Sequence, residues 1–402
     1  MLKLSQWRVL WRREIVVIGL FLFITDMVIG AMASTMSLFA QGLGASLTLI
    51  GILVATLGLA RFTVGIVIGE ISDRRGRKSL LVLGMAMMGG AALFYAGASQ
   101  PLWLLPVNVL FGVGFVTCLT IGLAYVGDMT TTHERSLAYG TVSTAMGSGF
   151  AVGALIGGVV AARLGFSTLY LGAAAAAAIG CLVVWRGLAN ETRPAAGIRS
   201  ASLRRQIGLL MTNSIILVAC IGSLLSNLVF GGLILTFFPI YAAGLGMTLA
   251  VIGSMLATRT LASTLARVPG GMLGNKVPGH YVMLGTLTVA AVVAVALVQV
   301  TSSSLLTLLL IAEGVAYGLF LATAQASVAT QGAARRGVAL GAFMAAASVG
   351  DSFIPLFLGP VADLLGIQSV FYVVGGITVF GIVLIIRVLT QRRQIGLPDS
   401  TI

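Results

Sequence analysis

Five ionisable residues stand inside long apolar runs of this sequence: Asp26, Arg61, Arg259, Glu313 and Asp351. On insertion scales a charge near a bilayer centre costs roughly 2.5–3.5 kcal/mol, so five unpaired ones would cost about 12–18 kcal/mol. They must therefore face one another or water. A carboxyl group in a poorly solvated cavity can be neutral in one conformation and charged in another, which is what carrying a proton requires. Asp26, Glu313 and Asp351 are accordingly the proton-coupling candidates. The competing readings for Asp26 and Glu313 are contact with a cationic substrate and a permanent ion pair with a buried arginine. Arg61 and Arg259 suit either such an anchoring role or the binding of an organic anion.

Neutral polar groups add a second tier. Asn108 and Asn227 fall in mid-span, where they either line a cavity or join helices by hydrogen bonds. Tyr317 lies four residues after Glu313 and shares its helix face. With Arg61 and Arg259 these make the substrate-cavity candidates. Cys118, Cys181 and Cys220 all lie in apolar runs, where a thiol behaves as a small hydrophobe, so neither a disulfide framework nor a metal site is expected. No His, Cys or Ser cluster with a matching base falls inside the spans, which argues against an enzyme. No phosphate-binding loop appears, and no cofactor is expected.

The elements that position these residues follow from composition. Of 402 residues, 58% are hydrophobic and only 9% charged, and apolar runs longer than about 18 residues recur, so the chain is an all-α polytopic membrane protein. Twelve spans are expected near 15–40, 48–71, 79–98, 102–127, 138–163, 167–186, 214–241, 249–273, 281–300, 304–329, 337–362 and 367–389. The N-terminus imitates a secretory signal, but Asp26 interrupts the apolar stretch, which then continues to Ala40; it reads as the first span. Leu4, Trp7 and Trp11 at helical spacing among basic residues suit a short helix on the membrane surface.

The net charge of +13 has a topological origin rather than a nucleic-acid partner. The run Gly69 to Lys78, GEISDRRGRK, is too dense in charge for hydrocarbon and reads as a short loop at a membrane face. It shares one side with Arg8, Arg12, Arg13, Arg135, the basic stretch Arg186 to Arg205, Arg335, Arg336, Arg392 and Arg393. Loops near 41–47, 99–101, 242–248 and 301–303 carry no cation. Both termini are therefore placed in the cytoplasm.

The chain also repeats itself at about 201 residues. Gly341, Gly350 and Gly359 fall on Gly140, Gly149 and Gly158, and Leu365-Gly366 on Leu164-Gly165. With one further residue of offset, Ile252-Gly253 falls on Ile50-Gly51 and Asn275 on Asp73. Asn227 is then the counterpart of Asp26, and Leu57 that of Arg259. A duplicated six-helix unit is the simplest account. The expected organisation is an N-terminal bundle at 1–189, a polar and basic linker at 190–212, and a C-terminal bundle at 213–402.

Twelve helices in two halves, with Gly69, Asp73, Arg74, Gly76, Arg77 and Lys78 in the pattern GxxxDxxGRK, resemble the major facilitator superfamily of transporters. The resemblance covers essentially the whole chain. It implies that this loop is a cytoplasmic latch, with Asp73 engaging the start of the eleventh helix and the basic residues holding the carboxylate of Asp128. It implies that spans 1, 4, 7 and 10 line a central cavity while spans 2, 5, 8 and 11 form a seam, where Arg61 and Asp351 would meet. Gly140, Gly149, Gly153 and Gly157 match the family's exchanger motif on the fifth helix, with Ala154 where a proline is usual. Asn108 stands where the family has an arginine linked to proton coupling. The function implied is proton-coupled efflux of a small organic or drug-like molecule by alternating access, in a monomer of the bacterial inner membrane. A facilitator or symporter of an organic anion is the second reading, and a membrane sensor the third.

Overall fold

A computed structural model of the chain describes residues 12–188, 213–273, 277–331 and 336–394. Side chains at some helical positions lie outside the described residues, among them Arg61, Gly69, Asp73 and Arg74. Hydrocarbon offers no partner to a backbone N–H, so an apolar chain of this kind closes its hydrogen bonds within helices. The first half contains α1 (Arg13–Ala33), α2 (Met36–Gly42), α3 (Leu47–Arg75), α4 (Arg77–Ala96), α5 (Leu104–Asp128) and α6 (Thr132–Gly187). The second contains α7 (Ser214–Asn227), α8 (Phe238–Gly244), α9 (Leu249–Leu273), α10 (Gly279–Ala296) and α11 (Ser303–Gln331), followed by α12 (Arg336–Ser348), α13 (Ile354–Leu365) and α14 (Ile367–Gln394). π-Helical stretches, Leu228–Leu235 and Val349–Phe353, join α7 to α8 and α12 to α13.

Ten helices among the described residues are long and apolar enough to cross a membrane, and Leu47–Ala60 is a shorter apolar one. One of the ten is two spans, separated where Gly165 leaves helical geometry at φ 84° and ψ 167°. Glycine alone adopts that conformation without strain. The expected spans near 138–163 and 167–186 therefore exist, joined by a tight turn at Gly165. The charged run Gly69 to Lys78 is likewise no loop. α3 continues to Arg75, Gly76 turns the chain at φ 84°, and α4 begins at Arg77.

The span predicted near 15–40 breaks at Ser34 and Thr35, whose hydroxyls turn back onto the Ala31 carbonyl at 3.2 and 2.8 Å. Side chains of this kind compete with the helical ladder. Its repeat counterpart breaks at the matching place, where the Thr236 hydroxyl donates to the Gly231 carbonyl at 2.8 Å and Pro239 follows. Positive φ angles recur in the same register, at Gly44 and Gly246 and at Gly165 and Gly366.

Contacts divide the chain into two compact units, Met1–Gly197 with Gly246–Ala257 and Ile198–Leu245 with Thr258–Ile402. In the first unit, glycines of α6 rest on the backbone of α1. A Cβ at Gly149, Gly153 or Gly157 would overlap Phe23, Met27 or Ala31, each one helical turn from the last, and Gly30 of α1 meets Phe150 in return. Without side chains at these points the two backbones touch, the usual basis of helix association in lipid. Gly140 has nothing near its Cβ position and takes no part.

The second unit repeats the device. Gly350 meets Leu224 as Gly149 meets Phe23, and Gly231 meets Asp351 as Gly30 meets Phe150. Gly314 meets the carbonyl of Arg259 as Gly112 meets that of Leu57. Aromatic pairs recur as well: Phe39 and Tyr170 have ring centres 5.0 Å apart, Tyr241 and Phe371 5.1 Å. The duplication read from glycine spacing is thus a duplication of backbone contacts.

The start of α6 shows how the charged end is built. The Glu134 carboxylate accepts hydrogen bonds from the Thr131 amide at 3.2 Å and hydroxyl at 3.0 Å, and pairs with Arg12 at 2.9 Å. The Thr131 bonds, and after them the Arg12 charge, hold its pKa below the usual 4.5. A depressed carboxyl contributes stability at higher pH and loses it as pH falls through the folded value. In a titration followed on the Glu134 carboxyl signal, the midpoint is expected below 4.5, and Thr131→Val should move it upward.

Candidate functional site

In the second unit, α9 supplies Arg259 and α11 supplies Glu313. Gly314 lets α11 lie directly on the Arg259 backbone, which brings the neighbouring Glu313 within reach. The pair is bidentate: Arg259 Nε donates to Oε2 at 2.6 Å and Nη2 to Oε1 at 2.9 Å. Both side chains are 1% exposed. Phe230, on the first π-helical stretch, lies 3.6 Å from the guanidinium carbon, and Tyr317 lies 4.6 Å away. The cation is thus held by a fork of charged hydrogen bonds and two aromatic faces.

The polar shell extends from Tyr317. Its hydroxyl donates to Asn227 Oδ1 at 3.0 Å, and Asn227 Nδ2 donates to the Ser223 carbonyl at 2.8 Å. Asp351 lies on the second π-helical stretch, pressed on Gly231, and accepts a hydrogen bond from Ser352. Arg267 and Asp351 join Arg259 and Glu313 as the charges acting on the Tyr317 hydroxyl. Four of the second-unit residues singled out in the sequence, Arg259, Glu313, Asn227 and Tyr317, therefore form one connected cluster.

Two members of the cluster escaped sequence reading. Arg267 follows Arg259 by two helical turns, a spacing that places both on one face of α9. Phe230 carried no signal, because its position depends on the π-helical register. Asp351 was expected at a seam with Arg61, whose side chain lies outside the described residues.

In the first unit the residues are more dispersed. Asp26 is buried in α1, on the helix that carries the glycine contacts with α6. Asn108 is 2% exposed and acts as a tie. It donates to the Leu53 carbonyl at 3.0 Å and to Met36 Sδ at 3.4 Å, and accepts from the Tyr95 hydroxyl. With its amide engaged on both atoms, it joins helices. Of the charged motif, Arg77 pairs with Asp128 at 2.7 Å across α4 and α5, and Lys78 is half-buried one residue on. Gly69, Asp73 and Arg74 contribute backbone only, their side chains being outside the described residues.

Comparison of the two halves separates what the fold needs from what it does not. The position of the Arg259–Glu313 pair is held in the first unit by Leu57 and Phe111, on the same glycine-to-carbonyl contact. The position of Asp351 is held by Phe150, and that of Asp26 is held in the second unit by Asn227. Each ionisable group thus has an uncharged counterpart in an equivalent setting. Burial of an ion pair gains little or no stability over apolar residues of similar size. Helix packing alone does not call for these charges.

Similar proteins agree with this architecture. The chain is 24% identical over 366 residues to an MFS-type transporter of Methanocaldococcus jannaschii, covering 89% of this chain and 94% of that protein. It is 24% identical over 335 residues, 81% of each chain, to the multidrug resistance protein MdtG of Salmonella schwarzengrund. The multidrug resistance protein 2 of Bacillus subtilis is 30% identical over 140 residues, 35% of each chain. Among solved structures, the nucleoside transporter NupG superposes with a TM-score of 0.76 at 14% identity, over 94% of this chain and 99% of that one. A bacterial homologue of the lysosomal transporter Spinster gives 0.76 at 14% identity, over 94% and 96%. Matched to the Major Facilitator Superfamily over residues 16–251 and 219–399, this chain of duplicated helical halves belongs to that superfamily of transporters.

Proposed function

We propose that this protein exports a small organic, drug-like molecule by alternating access between two bundles, 1–189 and 213–402, joined by the segment 190–212. Protons drive the export. The protein works as a monomer in the bacterial inner membrane with both termini cytoplasmic. The observation that carries this reading is the internal comparison: Asp26, Asp351 and the Arg259–Glu313 pair stand where the other half manages with uncharged residues. Charges that packing does not require belong to the transported load. The efflux direction is supported by the relatives named as multidrug resistance proteins.

Within this reading Asp26 carries the exchanged proton and the second-unit cluster contacts the substrate. Inward proton movement provides about 2.3 kcal/mol per charge per 100 mV, enough for a modest substrate gradient. Arg77 and Asp128 latch the cytoplasmic end, and the α6 glycines keep α1 in place. The test is transport in proteoliposomes under an imposed pH gradient. Asp26→Asn is expected to abolish pH-driven accumulation while substrate counterflow survives. Undiminished pH-driven transport in Asp26→Asn would remove the proton assignment, and no solute movement by the native protein would favour a sensor.

A further inference from the structure

The Arg259–Glu313 pair engages two of the five donors of the guanidinium, leaving donors for a second acceptor. One turn along α9, about 6 Å further on, comes Ser263. Its hydroxyl is 1% exposed and has no hydrogen-bond partner, and the Thr260 hydroxyl beside Arg259 is likewise buried and unpartnered. Leaving a buried hydroxyl unsatisfied costs about 1–3 kcal/mol, so these groups imply an acceptor or donor absent from the polypeptide. Arg267 comes one turn after Ser263. Arginine, hydroxyl, arginine at successive turns of one helix face is an arrangement for an oxyanion, and Phe230 and Tyr317 already stack on a planar group there.

We propose that this face of α9, Arg259 with Ser263 and Arg267, receives a carboxylate or similar oxyanion of the transported molecule, whose planar body packs on Phe230 and Tyr317. The inference rests on the transporter reading and supplies its substrate class. The charges facing the site are Arg259 and Arg267 from α9, Glu313 from α11 and Asp351 from the second π-helical stretch, with the neutral Tyr317 among them. Arginine keeps its proton in proteins, so α9 presents two fixed cations here.

Binding to the purified full chain tests this without requiring transport. The probes are 1-naphthoate, the neutral 1-naphthamide and the cationic 1-naphthamidine, compared by calorimetry or thermal shift between pH 6 and 8. Naphthoate is expected to bind best of the three. Ser263→Ala should weaken naphthoate about 2- to 12-fold, the range of one hydrogen bond, and leave naphthamidine unaffected. Preference for naphthamidine, equal binding of all three probes, no binding of any, or an unchanged naphthoate affinity in Ser263→Ala would each overturn the proposal. Naphthoate binding that Ser263→Ala weakens, with no movement in proteoliposomes, would uphold the site and refute the transporter reading.

Discussion

Arg259→Leu alone is expected to destabilise the protein by about 3–5 kcal/mol, because it strands the Glu313 carboxyl in a site 1% exposed. Glu313→Phe alone should cost a similar amount by stranding the guanidinium, which has no neutral form to fall back on. The double variant Arg259→Leu/Glu313→Phe is expected to recover most of the loss. It installs the residues that Leu57 and Phe111 already provide at the equivalent contact of the first unit. Replacing a buried pair by packed apolar groups is commonly neutral or stabilising. The same double variant should lose transport altogether. Thermal unfolding in detergent measures the first effect, and proteoliposome flux the second. A double variant that is both stable and active would show that the charges serve nothing in transport. One that unfolds like the single variants would show that the pair is required by the second unit after all.

Gly153→Val is the second large effect. Its Cβ would overlap the Met27 carbonyl and the Ala31 amide nitrogen, neither of which can move without displacing α1. Overpacking of this kind costs about 1–3 kcal/mol, and here the obstacle is backbone, so a loss of about 3 kcal/mol is expected. Displacing α1 also displaces Asp26, so pH-driven transport should fall with stability. Gly350→Val, which meets Leu224 as Gly149 meets Phe23, should cost about as much. Gly140→Ala is the contrast: nothing lies near its Cβ position, and the helix should gain up to about 1 kcal/mol. Equal effects at Gly140 and Gly153 in an unfolding assay would refute the close approach of α1 and α6.

These contrasts bear on how the glycine motif was legible. Gly140, Gly149, Gly153 and Gly157 look alike in sequence, and all match the family's pattern. Only the last three rest on α1, because contact depends on the azimuth of each residue and on which helix lies opposite. The Asn108 position was equally ambiguous, and three hydrogen-bond partners from separate segments resolve it as a tie.

By itself the sequence determined that the chain spans a membrane, where most spans begin and end, and that its halves repeat. Those properties are local: hydropathy over some twenty residues decides insertion, and glycine spacing is a one-dimensional pattern. It also picked out Asp26, Arg259 and Glu313, the charges that the fold buries. Pairing was decided only in three dimensions. Arg259 and Glu313 are 54 residues apart, and what joins them is the backbone approach at Gly314. The π-helical stretches that bring Phe230 onto the guanidinium and Asp351 onto Gly231 leave no periodic trace, since one inserted residue rotates every side chain after it. Composition shows that a charge is buried, whereas its partner depends on helix register and close packing, which only the folded bundle specifies.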